Sequence, residues 1–144
     1  MGSQKDVVIL AKSRKNKGYC IAGKEVGKYP WIRPVREKGE LSKEDQIFSS
    51  YPQLLDIVSI PFKKPISNDN YRYQTENFLI DDSIKWKKIG EENWDNLDKI
   101  KDEPDKLWNI DSSSNRGTKN RIALNEAGQL KNSLLDFYSI LVCL

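Results

Sequence analysis

The densest run of cations in the chain is Lys12, Arg14, Lys15 and Lys17, four positive charges within six residues. Arg33 and Arg36 follow, with Tyr19, Tyr29 and Trp31 interleaved. Cations neutralise phosphates and rings offer stacking platforms, so this mixture matches the composition of a single-stranded nucleic-acid surface. The blander reading makes the run a solvated hairpin loop and Trp31 a core residue. A second cluster, Gln74, Glu76 and Asn77, presents amides and a carboxylate suited to base edges. On a strand Gln74 and Glu76 share a face and Asn77 points away. The same three residues would equally serve as a structural hydrogen-bond hub. Arg33 poses a similar choice: it binds a phosphate through its planar fork, or it pairs with a carboxylate such as Glu76 or Asp56.

Catalytic chemistry is harder to place. The chain has no histidine, which removes imidazole as general base, metal ligand or triad member. Cys20 and Cys143 fit no zinc or CxxC spacing and read as free thiols. A metal-dependent nuclease of the restriction type needs an acid pair and a [DE]-x-K element, and no such triplet occurs. Asp81-Asp82 and Glu91-Glu92 are adjacent acids, and neighbours on a strand point to opposite faces. Gly23-Lys24 and Gly27-Lys28 lack the context of a phosphate loop. The expectation is a binding module with no catalytic residue, no metal and no cofactor.

The 144 residues carry a net charge of +3, which conceals an asymmetry. Residues 1–64 hold thirteen Lys/Arg against seven Asp/Glu, and the remainder holds eleven against fourteen. The length suits one domain able to bury a core without staples. Apolar runs reach about five residues, far short of the roughly twenty that a membrane helix requires. No membrane partner is expected, and a reducing cytoplasmic setting fits the two unpaired cysteines.

Most elements that would hold these residues read as strands. Residues 6–11 (DVVILA) form a buried strand that ends in a turn at Asn16 to Gly18. Residues 18–24 form either the returning strand or the entry to a connecting segment, and 31–36 alternate apolar and basic groups, with Pro34 demanding an edge or a bulge. Further strands are expected over 54–62, 71–80, 84–89 and 139–144. Two stretches break the pattern. Trp94, Leu97 and Ile100 predict a short amphipathic helix within 92–102, closed by Pro104. Residues 125–135 predict another, with Ala127, Leu130, Leu134 and Leu135 as its apolar face. Residues 111–121 form a polar loop carrying Asn120 and Arg121. The expected fold is mainly β with short helices, a small closed or partly open barrel, with an α+β arrangement as the alternative.

Several phrases occur together in a telling order: Ser13-Arg14-Lys15, Cys20-Ile21-Ala22-Gly23, Trp31-Ile32-Arg33-Pro34-Val35, Leu55-Asp56-Ile57-Val58, Tyr73-Gln74-Thr75-Glu76-Asn77 and Asn120-Arg121-Ile122. In this the chain resembles the dual OB-containing domain family of bacterial and archaeal proteins, often linked with antiviral conflict systems. The resemblance covers roughly residues 7–135. It implies an OB-like barrel, usually in tandem with a second, and a nucleic-acid or nucleotide ligand; it carries over no catalytic motif. Two barrels would be crowded into this length, so the apolar run ending at Leu144 suggests a single OB-like unit cut from a longer protein. Two functions follow as expectations. In the first, Arg14, Lys15, Lys17, Arg33 and Arg121 contact the phosphates of single-stranded RNA or DNA while Tyr19 and Trp31 stack on bases, in a prokaryotic defence-type system. In the second, a sensor or interaction module holds a nucleotide-like ligand or an effector protein in a pocket that includes Gln74, Glu76, Asn77 and Asn120.

Overall fold

A computed structural model describes residues 2–15, 18–66, 76–102, 134–137 and 140–143. Five strands close a mixed barrel: β1 (Ser3–Lys15), β2 (Gly18–Glu25), β3 (Trp31–Val35), β4 (Asp56–Pro65) and β5 (Asn77–Ile80). Their order around the ring is β1-β2-β3-β5-β4, and β4 pairs back onto β1. Every pairing in that ring is antiparallel except β3 with β5, which run parallel. A sixth strand, β6 (Lys87–Glu91), adds to the first half of β4. A separate two-stranded unit consists of β7 (Leu134–Phe137) and β8 (Ile140–Cys143).

The interior follows from the two-residue period of strands. Val7 and Ile9 of β1, Ile21 of β2, Ile32 of β3, Val58, Ile60 and Phe62 of β4, and Ile80 of β5 all face inward. Burying each such side chain contributes about 1.5–3 kcal/mol. The connection from β3 to β4, residues 36–55, contains no helix; it supplies Leu41, Ile47 and Phe48 as a plug for one end of the barrel. Phe48 meets Trp86 edge to face, with centroids 4.9 Å apart.

β1 is long because it has two partners in succession. Residues 3–8 pair with β4 and residues 7–15 with β2, so only Val7 and Val8 pair with both. The register with β2 slips between Ile9 and Ala11, the mark of a bulge. At that point β2 crosses very close to β1: a Cβ on Gly23 would lie 1.9 Å from the Val8 carbonyl oxygen. Pro34 sits beyond the last β2–β3 pair, Gly23 with Ile32, so its missing N–H removes no bond from that ladder.

Both expected helices are revised. Within 92–102 the helix is a single 3₁₀ segment, Trp94–Lys99, in which no residue is buried. Its apolar residues recur at a spacing of three, which the three-residue turn of a 3₁₀ helix accommodates as well as an α-helical face does. The predicted helix over 125–135 fails at its end: Leu134 and Leu135 open β7, where pairing with Val142 and Cys143 overrides local helix propensity. The rest of that stretch lies outside the described residues, as do 71–75 of the expected strand 71–80.

The close crossing at Gly23 sets a test of the fold. Gly23→Ala should lower unfolding free energy by about 2–3 kcal/mol, since the obstacle is backbone and cannot swing away. Urea denaturation followed by tryptophan fluorescence will measure it, with Gly27→Ala, at a hairpin φ of +82° in open space, reporting backbone strain alone.

Candidate nucleic-acid interface

Beyond Val8, β1 leaves β4 behind and continues with β2 as a two-stranded ribbon. Lys12 lies opposite Ile21 and Arg14 opposite Tyr19. Positions 12 and 14 share a face, because side chains alternate along a strand. The Tyr19 backbone N–H donates to the Leu41 carbonyl at 2.8 Å, which draws the 36–55 connection against this ribbon. That hydrogen bond carries Lys43 and Tyr51 to the same place.

The result is a compact patch of cations and rings. The Lys12 ammonium stands 4.4 Å from the centroid of Tyr51. Lys43 stands 4.9 Å from Tyr19 and 5.6 Å from Tyr51. The two tyrosines meet edge to face at 5.7 Å, and Tyr51 meets Phe48 the same way at 5.4 Å. The ring face attracts an ammonium electrostatically, so each lysine is oriented without a carboxylate. Neither Lys12, Lys43 nor the exposed Arg14 forms an ion pair among the described residues. Lys12 does donate to Gln53 Oε1 at 3.2 Å. Its pKa is lowered by burial first and by Lys43 second, with Asp56 opposing. Two like charges held together in this way favour an anion between them.

The outer face of β2 and β3 is organised differently. Lys24, at 2% exposure, donates to the carbonyl of Ile100 and, at 2.8 Å, to Asp102. The Trp31 indole N–H donates to the other oxygen of Asp102 at 2.9 Å, and the Lys24 ammonium lies 5.2 Å from the Trp31 ring. Residues 100–102 are thereby clasped across this face. Arg33 pairs with Glu76 at 3.0 Å, both buried, and its backbone N–H donates to the Glu76 carbonyl. Of the alternatives open for Arg33, the carboxylate pair is the arrangement present. Trp31 packs with Leu10, Ala11 and Ala22 and is 6% exposed.

The basic and aromatic stripe therefore divides. Arg14 and Tyr19 join the patch, while Trp31 and Arg33 are engaged on the outer face. Asn77 is buried beside Arg33, with which it pairs in register. Lys17, Gln74, Asn120 and Arg121 lie outside the described residues, and Lys15 is described only as the last residue of β1. Lys43 and Tyr51 escaped the reading of the sequence. Each sits in an irregular connection, and no spacing signals that the connection folds back on the ribbon.

Two clefts flank these groups. The smaller, about 160 Å³, has Tyr19, Cys20, Arg33 and Arg36 in its walls. It falls below the roughly 300–1,000 Å³ usual for ligand sites. The larger, about 560 Å³, lies between the start of β4, the end of β6 and the 3₁₀ segment, and Trp94 and Leu54 line it.

A closed five-strand mixed barrel with a basic, aromatic ribbon at one end defines this chain as an OB-type module. The chain belongs to the dual OB-containing domain family, whose model matches residues 5–139. No match was found among curated proteins or among solved structures. No helix among the described residues is long and apolar enough to cross a membrane.

The clasp can be tested by its energetics. Asp102→Asn should destabilise the fold by about 3 kcal/mol, because a buried ammonium loses its counter-charge. Lys24→Met combined with Asp102→Asn should recover at least half of that loss, since an apolar stem then fills the same space. Chemical denaturation of the two variants gives both values.

Proposed function

We propose that this OB-type module binds single-stranded nucleic acid, with Lys12, Arg14 and Lys43 as its phosphate contacts and Tyr19 and Tyr51 as the rings that set them. The observation that carries this reading is the pair of ammonium groups on Tyr51, neither of them in an ion pair among the described residues, with the Lys12 pKa lowered by burial and by Lys43 against the opposing pull of Asp56. Paired in this way, the charges are only partly compensated by the protein, and an incoming phosphate completes the compensation. The barrel supports the reading too, since the β1–β2 loop is one of the places where OB ligands gather, and the ribbon of β1 and β2 leads to it. We read the chain as a binding module rather than an enzyme; a place in a prokaryotic defence system rests on the family resemblance.

Counterion release gives the test its size. With three phosphates engaged on a single strand, the log–log salt slope is about −2, so affinity should fall about twentyfold between 50 and 200 mM salt. Lys12→Glu with Lys43→Glu should flatten that slope by at least 1.4, about 0.7 for each phosphate no longer neutralised. Fluorescence anisotropy with a labelled 12-mer reads both, and salt-insensitive binding overturns the mechanism.

Alkaline pH offers an independent check. Because the Lys12 pKa is lowered, its ammonium is lost on raising pH before that of an ordinary lysine. Affinity should begin to fall below the usual lysine range, and Lys12→Gln should abolish that early part of the decline.

A further inference from the structure

The larger cleft adjoins the cation patch, and Gln53 belongs to both: it lines the cleft and accepts from Lys12 at 3.2 Å. The two regions have opposite electrostatic characters. The patch carries Lys12, Arg14 and Lys43, whereas the cleft holds Asp56, Glu91 and Glu92 against Lys88 alone. Lys88 is already committed, to Asp56 at 2.9 Å and to Glu91 Oε1 at 2.6 Å. Glu92 Oε1 accepts from the Asn93 N–H at 2.9 Å and the Asn96 side-chain amide at 2.8 Å, so each glutamate has one oxygen engaged and turns the other to the cleft. A phosphate is therefore attracted to one side and repelled from the other. A molecule that fits both must be anionic at one end and a neutral, hydrogen-bond-donating group at the other.

The cleft also offers an apolar platform. Trp94 is 63% exposed and Leu54 is 52% exposed, on a 3₁₀ segment and a turn that bury neither. An indole left in water gains nothing for the fold, and its broad face suits a flat ring. The backbone beneath is held in an unusual shape, with Leu55 at a φ of +70°. Its N–H donates to the Ile9 carbonyl and its own carbonyl accepts from Glu92, so the turn that presents Leu54 is tied at both ends.

We infer that this cleft is the base-reading part of the same interface, in which Trp94 stacks on a nucleobase whose exocyclic amine donates to the second oxygen, Oε2, of Glu91 or Glu92. The inference rests on the proposed single-strand binding. Cytosine carries such an amine, while uracil has in its place a carbonyl oxygen that a carboxylate repels, and the remaining donor on that edge of uracil, its N3–H, lies one atom deeper. The site thus prefers cytosine to uracil at one position of the bound strand, while Lys12 and Lys43 hold the adjoining phosphate.

The test uses the full chain and labelled dC and dU 12-mers, which differ little except in that edge. The wild type should bind dC more tightly than dU by about tenfold, the discrimination of one good base pairing. Trp94→Ala should weaken dC binding by about tenfold, while Trp94→Phe should retain most of it. Glu91→Gln with Glu92→Gln should shrink the dC preference to near unity while leaving the salt slope unchanged or steeper. Because Trp94 is exposed, its variants should keep the wild-type circular dichroism spectrum and unfolding midpoint; the double Gln variant gives up the Lys88–Glu91 ion pair and should keep the spectrum with a slightly lower midpoint. If Lys12→Glu with Lys43→Glu weakens binding but Trp94→Ala and the Gln variants bind both strands as the wild type does, the cleft reading falls alone. If the wild type binds neither strand, the proposed function falls and takes this inference with it.

Discussion

The rest of the molecule depends on the point where β2 crosses β1 beside Val8. There the two backbones approach so closely that only a glycine fits, at Gly23. The bulge between Ile9 and Ala11 lies beside that crossing, and a bulge strengthens local twist. β1 parts from β4 there and stays paired to β2. Ring closure on one side and the ribbon on the other therefore meet at this one close approach.

That bend separates two environments that a linear reading places together. Along β2 and β3, alternate residues turn outward, and there Lys24, Trp31 and Arg33 are committed to Asp102 and Glu76. Their charges are compensated within the chain. On the ribbon, Lys12 and Lys43 face rings instead of carboxylates. Rings position a cation without neutralising it, so the electrostatic field there remains available to an outside anion.

Much of the barrel was legible in the residues. Val58, Ile60 and Phe62 alternate inward, and the hydrophobic run Val7 to Ile9 marks the buried middle of β1. Helices were harder, because a spacing of three between Trp94, Leu97 and Ile100 suits a 3₁₀ turn as well as an α-helix. The site was only half visible. Arg14 and Tyr19 could be nominated from their company in the sequence, but a tyrosine at 51 and a lysine at 43 enter through a connection whose path is decided by packing. Trp94 read as an apolar helix residue because composition cannot tell an exposed indole from a buried one. The Arg33–Glu76 pair was legible as one of two options, since a guanidinium in a strand needs a partner.

The division of β1 has a consequence for substitution. Residues 3–8 sustain the ring with β4, whereas residues 11–15 pair as a strand with β2 alone. Substitutions at positions 12 and 14 therefore alter charge at the tip without loosening the ladder that closes the barrel. The bulge thus separates the part of β1 that closes the ring from the part that carries charge to the tip.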